Sequence, residues 1–144
     1  MTRRIILSLS QCTDLDLVGG KAVGLARLIA GGFLVPQGFC VTTEAYTQYV
    51  HASGFMEHEE WQKVCALSGN ERASVLAGCR EQIRRIETSQ LAAQCLTALQ
   101  GLNQPPNTRW AVRSSATNED AAHTSFAGLY RTHLGVALSD IEAA

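Results

Sequence analysis

The sequence predicts an α/β (α+β) domain, a small mixed sheet with flanking helices, on three observations. Short runs of strand character recur at residues 5–9, 35–41, 109–113 and 130–136. Apolar residues at spacings of three and four place helices between them. The chain has 144 residues, of which 46% are hydrophobic and 17% charged, and this is the size and make-up of one globular domain rather than a disordered or fibrous chain.

The elements follow in order. Ile5-Ile-Leu-Ser-Leu9 reads as a short strand. Gly19-Gly20 opens a helix whose apolar stripe is Ala22, Leu25, Ala26, Leu28 and Ile29, and Gly31-Gly32 stops it. Val35 to Val41 is a turn running into a buried strand. Thr42 or Thr43 can cap a helix from Glu44 to about Ala52, ending at Gly54. From about 56 to 102 the texture is that of a helical scaffold. Ser68-Gly-Asn-Glu71 fits a capping box, with Val75, Leu76, Cys79, Ile83 and Ile86 following at helical spacing, and a further helix covers about Gln90 to Leu99. Pro105-Pro106 breaks the pattern before the strand Arg109–Arg113. A long polar loop, 114–128, leads to the strand Tyr130–Val136. Ser139-Asp-Ile-Glu142 is a second capping box with no helix after it, which suggests a chain that has been cut.

Twelve Lys plus Arg against thirteen Asp plus Glu leave a net charge of −1, so no bulk field holds nucleic acid or an anionic membrane and any anion site is local. No run approaches the ~20 apolar residues of a membrane span, and the N-terminal apolar run is too short for a signal peptide. The five cysteines (Cys12, Cys40, Cys65, Cys79, Cys95) are odd in number and lack a C-x-x-C pair, which fits reduced, buried thiols in a cytoplasmic protein rather than a disulfide framework or zinc site.

Two stretches could carry chemistry. Gly19-Gly20-Lys21 opens a helix, where backbone N–H groups and the helix dipole attract anions and a lysine adds a point charge. It is neither a Walker A loop, since Leu15 and Ala22 stand where that motif needs Gly and Ser or Thr, nor a G-x-G-x-x-G fingerprint. Read alone, it fits a structural helix cap or a phosphate site. Arg113-Ser114-Ser115, with the loop ending in Ser125-Phe-Ala-Gly128, can present a guanidinium, hydroxyls and amides to phosphate oxygens. The competing reading is a surface loop whose arginine pairs with Glu119 or Asp120. Adjacent carboxylates such as Glu119-Asp120 seldom both point at one metal ion, and nothing beside His123 orients its ring for catalysis. Both candidates on one short chain favour a polyphosphate ligand.

Gly19-Gly-Lys-Ala-Val-Gly-Leu-Ala-Arg-Leu28, followed by Gly32-Phe-Leu-Val-Pro-Gln-Gly-Phe-Cys-Val-Thr-Thr43, resembles the start of the ATP-binding domain of PEP-utilising dikinases. That family comprises phosphoenolpyruvate synthase, pyruvate phosphate dikinase and the related rifampin phosphotransferases. Ala111-Val-Arg-Ser-Ser-Ala-Thr-Asn-Glu-Asp120 and Ser125-Phe-Ala-Gly128 resemble its second signature, in the family's order and at about its separation. Leu129-Tyr130 departs from the Gln that many members carry after the glycine.

The resemblance implies the N-terminal subdomain of an ATP-grasp fold, with residues 1–144 forming part of the ATP-binding domain. Lys21 and Arg113 would hold ATP phosphates, Ser125 to Gly128 would close over them, and Ser114 and Ser115 would shape the loop or donate to phosphate. The second ATP-grasp subdomain, the magnesium ligands, the phosphohistidine domain and the PEP/pyruvate domain would lie outside this chain. No catalytic residue and no metal ligand is therefore expected within it, and none of its histidines inherits the carrier role. The implied parent reaction passes phosphate from ATP through a carrier histidine to pyruvate or, in the rifampin branch, a drug hydroxyl. The other reading is a standalone nucleotide-binding or regulatory module that pairs with a separately encoded partner.

Overall fold

In a computed structural model, which describes residues 4–55, 59–117 and 131–143, the chain divides into two units. One comprises Met1–Glu44 with Ser89–Ala144, and the other Ala45–Thr88. The mixed α/β class predicted from the sequence is the one observed. Its strands form two separate antiparallel pairs among the described residues.

In the first unit the apolar run near the N-terminus yields β1 (Ile6–Ser8), which passes into a single 3-10 turn at Leu9–Gln11. β1 pairs with β2 (Phe39–Val41) in the register Ile6↔Val41, Leu7↔Cys40, Ser8↔Phe39. Between them lies α1 (Leu15–Ala30). Asp14 caps its start through Oδ1, which accepts from the Asp16 amide at 3.0 Å. Its end is a Schellman motif, as the Gly31-Gly32 pair predicts. Gly32 turns at φ +78°, its amide donates to Ile29, and the Phe33 amide donates to Leu28.

The buried line on α1 runs through Val18, Ala22, Val23 and Ala26 and packs on Leu7, Cys12 and Cys40. This corrects the expected stripe: Leu25 and Ile29 are half-buried and Leu28 is exposed. Small residues one turn apart let the two strands approach the helix, and the bulkier leucines fall on its shoulders.

Cys12 and Cys40 lie in this core with their thiols directed at the backbone carbonyls of Ser8 and of Val18 and Val41, and burial pushes the Cys40 thiol from an ordinary 9.0 up to about 12. The neutral thiol therefore contributes stability that is complete below pH 9.0 and is lost as pH rises toward about 12, because only the unfolded chain gives up the proton in that window. Denaturation midpoints measured from about pH 8 to about pH 10.5 are expected to fall, and to fall less steeply in Cys40→Ala. Equal slopes for the two proteins would contradict this account.

The remainder of the first unit is α5 (Ser89–Gln100), β3 (Trp110–Arg113), β4 (Thr132–Val136) and a 3-10 helix at Leu138–Ala143. β3 and β4 pair as Trp110↔Val136, Val112↔His133 and Arg113↔Thr132. β4 carries one residue more across this stretch, and Gly135, at φ +69°, accommodates the bulge. The Ser139–Glu142 box does not open an α-helix: Ser139 lies inside the 3-10 segment and its hydroxyl bonds Asp140 Oδ1 at 2.8 Å.

The second unit begins within α2 (Thr43–Ala52) and continues through α3 (Glu59–Lys63) and α4 (Gly69–Arg84). Its core is Val50, Phe55 and Cys79, with Trp61, Val75, Ile83 and Ile86 packed against them. Ser68 precedes α4 as expected but makes no side-chain capping bond. Gly69 enters the helix at φ +54°, which turns the chain where a capping box needs a regular first residue. Among the described residues no helix is long and apolar enough to cross a membrane.

Candidate functional site

The first candidate stretch lies on a broken helix. Leu15–Val18 forms one turn of α1, Gly19 departs from helical geometry at φ +76° and ψ 167°, and the helix resumes at Gly20. These angles are open to glycine alone, which explains the first residue of the Gly-Gly pair. A helix that restarts leaves new amides without intrahelical acceptors, and the residue before the break is left with an orphaned carbonyl.

Those groups are satisfied by the second candidate stretch. Ser115 Oγ accepts from the Ala22 amide at 3.2 Å and donates to the Val18 carbonyl at 2.7 Å. Residues 18 and 22 are the partners that one i→i+4 helical hydrogen bond would have joined. The serine hydroxyl is thus spliced into the broken bond. One residue on, the Ala116 carbonyl accepts from the Gly20 amide at 3.4 Å. One residue back, the Ser114 carbonyl accepts from Lys21 Nζ at 3.3 Å. The contact is close: a Cβ on Gly19 would stand 2.2 Å from the Ser115 carbonyl oxygen.

Stretches more than ninety residues apart in sequence therefore meet at one end of α1. Lys21 is half-buried there. Arg113, the last residue of β3, is exposed on the strand face opposite Trp110 and Val112, and its side chain makes no hydrogen bond or ion pair among the described residues. Ser114 Oγ is buried without a hydrogen-bond partner among those residues, a polar group left open beside the lysine's anchor. Of the two readings of Gly19-Gly20-Lys21, the helix cap is visible directly, with Ser115 supplying it. The amides of Gly20 and Ala22 are engaged by the protein, so an anion here would be held first by side chains.

The expected loop residues Ser125 and Gly128, with Glu119, Asp120 and His123, lie outside the described residues. Three or more His, Cys, Asp or Glu side chains placed to hold a metal ion do not occur among the described residues. Sequence reasoning did not single out the carbonyls of Val18 and Ala116, since backbone groups carry no residue signature.

Residues 15–142 match the family described as pyruvate phosphate dikinase, AMP/ATP-binding domain. The chain belongs to this family. The match starts at the first residue of α1 and takes in both stretches that meet at the helix break. Among curated relatives of this ATP-binding domain, a phosphoenolpyruvate synthase of Aeropyrum pernix is 39% identical over 94% of the chain. A rifampicin phosphotransferase of Streptomyces sviceus is 34% identical over 94% of it, and one from Bacillus cereus 34% over 86%. The chain spans only 18%, 16% and 14% of the lengths of these relatives, respectively.

Proposed function

We propose that this chain is the phosphate-holding part of the ATP-binding domain of a dikinase-type phosphotransferase. The parent enzyme would pass a phosphoryl group from ATP through a carrier histidine to pyruvate or a related acceptor. The observation that carries this reading is the bond from Lys21 Nζ to the Ser114 carbonyl, which brings an ammonium to the residue next to Arg113. A lysine ammonium anchored next to the Arg113 residue suits a polyphosphate that both side chains would reach, and phosphoryl transfer depends chiefly on positioning and charge neutralisation of this kind.

In this reading Lys21 and Arg113 neutralise phosphate oxygens. Ser114, with its hydroxyl unpartnered among the described residues, donates to one of them. Ser115 shapes the loop, and Ser125 to Gly128 close over the phosphate tail. Magnesium, the acidic residues that bind it and the carrier histidine belong to parts outside this chain, whether joined to it or separately encoded. Half of a clamp positions nothing for transfer, so the 144-residue chain alone consumes no ATP.

Rifampicin phosphotransferases from two organisms stand beside the phosphoenolpyruvate synthases among the relatives, and this supports a second reading in which the acceptor is an antibiotic hydroxyl. The ATP half-reaction is common to both. Lys21→Ala and Arg113→Ala in the whole gene product are each expected to weaken ATP binding about ten- to a hundredfold, the range for losing a charge-assisted bond to phosphate. Calorimetric titration checks this, and unchanged affinity in both variants would remove the basis of the proposal.

A further inference from the structure

We propose that Ser115 is a positioning residue, whose hydroxyl fixes the arrangement of α1 and the Arg113 segment through which Lys21 and Arg113 serve one phosphate chain. The inference rests on the phosphate reading above and adds to it the part that holds the site in shape.

The argument is one of hydrogen-bond accounting. The break at Gly19 parts the Val18 carbonyl from the Ala22 amide, and a bridge between an acceptor and a donor must itself both donate and accept. A hydroxyl does this with one atom, and Ser115 Oγ makes both bonds. Cys40 Sγ–H also donates to the Val18 carbonyl, at 3.6 Å, but a thiol is a weak donor and makes no bond to the Ala22 amide. Because the Ser115 main chain lies against Gly19, the bridge also sets where the neighbouring Ser114 carbonyl stands, and that carbonyl anchors Lys21. Remove the hydroxyl and the Ala22 amide is orphaned while the Val18 carbonyl keeps only the Cys40 thiol, the segment loses its register on the helix, and the ammonium and guanidinium are no longer held relative to each other. The Ser115 hydrogen points to Val18 and not to a ligand, so the residue acts through Lys21 and Arg113.

The test compares the whole gene product with its Ser115→Ala, Ser115→Thr and Lys21→Ala variants, using ATP titration and hydrogen exchange of the Ala22 and Ala26 amides. Ser115→Ala is expected to lose protection at Ala22, keep it at Ala26 deeper in the helix, and bind ATP about tenfold more weakly. Ser115→Thr, which keeps the hydroxyl, is expected to restore both readouts. Loss of Ala22 protection with unchanged ATP affinity would overturn the inference, as would threonine behaving like alanine or loss of protection at Ala26. Unchanged ATP affinity in Lys21→Ala would instead sink the phosphate reading, while exchange at Ala22 still reports on the bridge itself.

Discussion

Gly19→Ala is expected to destabilise the first unit by about 3 kcal/mol and to abolish the close seating of the Arg113 segment on α1. Two costs combine. The backbone at φ +76°, ψ 167° lies in a region that side-chain-bearing residues enter at roughly 1–3 kcal/mol. The new methyl would also stand 2.2 Å from the Ser115 carbonyl oxygen and 2.5 Å from its carbon, and main chain cannot step aside as a flexible side chain can. Relief comes in one of two ways. Either Gly19 becomes helical and Val18 regains its bond to Ala22, expelling Ser115, or the 114–116 segment lifts away and the helix start loses its cap. In both, the Ser114 carbonyl leaves Lys21. Chemical denaturation followed by circular dichroism measures the loss, and ATP titration is expected to show binding weakened at least as much as in Lys21→Ala. Gly24 is the control: a Cβ there has no heavy atom within 4 Å, and substitution by alanine in mid-helix is expected to be neutral or stabilising by up to about 1 kcal/mol.

The contrast between these glycines shows what the sequence could and could not say. Gly19-Gly20 marked a helix opening, and Gly31-Gly32 its end, because glycine's backbone preferences are local and survive in any fold. The turn at Leu15–Val18 was missed, since a glycine inside a helical run looks like a start rather than an interruption. That Arg113-Ser114-Ser115 sits on Lys21 was not legible from spacing or composition. A contact across ninety-three residues depends on the whole path of the chain, and only the likeness to a known family brought the two stretches together. Of the apolar stripe expected on α1, Ala22 and Ala26 are buried, while Leu25, Leu28 and Ile29 are not, because close packing against β1 and β2 favours the smaller side chains. Ser68 sits at a helix start but makes no side-chain capping bond, because Gly69 at φ +54° departs from the regular first turn that a capping box requires, and Ser139 lies inside a 3-10 turn, where its hydroxyl bonds Asp140.

Phe55→Ala is expected to unfold the second unit while the first retains its protected amides on α1. Phe55 is only 3% exposed and its ring lies 5.3 Å from that of Trp61, at an interplanar angle of 45°. Val50 and Cys79 are the other fully buried members of that cluster, so the phenylalanine is its largest buried group. Truncating a buried phenylalanine costs about 3–5 kcal/mol. At roughly 0.1 kcal/mol per residue a unit as short as Ala45–Thr88 holds only about 4 kcal/mol, so the loss is comparable to everything it has. The first unit keeps a core of its own, built from Leu7, Cys12, Val18, Ala22, Val23, Ala26 and Cys40. Trp61 reports on the second unit and Trp110 on the first, so each is followed in a background where the other is phenylalanine. In Phe55→Ala the Trp61 emission is expected to shift to the red without denaturant, and the Trp110 signal to keep its cooperative transition. A single transition shared by both tryptophans would mean that the helical unit and the unit carrying Lys21 and Arg113 fold as one, and that damage remote from the cations reaches them. Two separate transitions would mean that the helical unit can be lost without disturbing the Ser115 bridge.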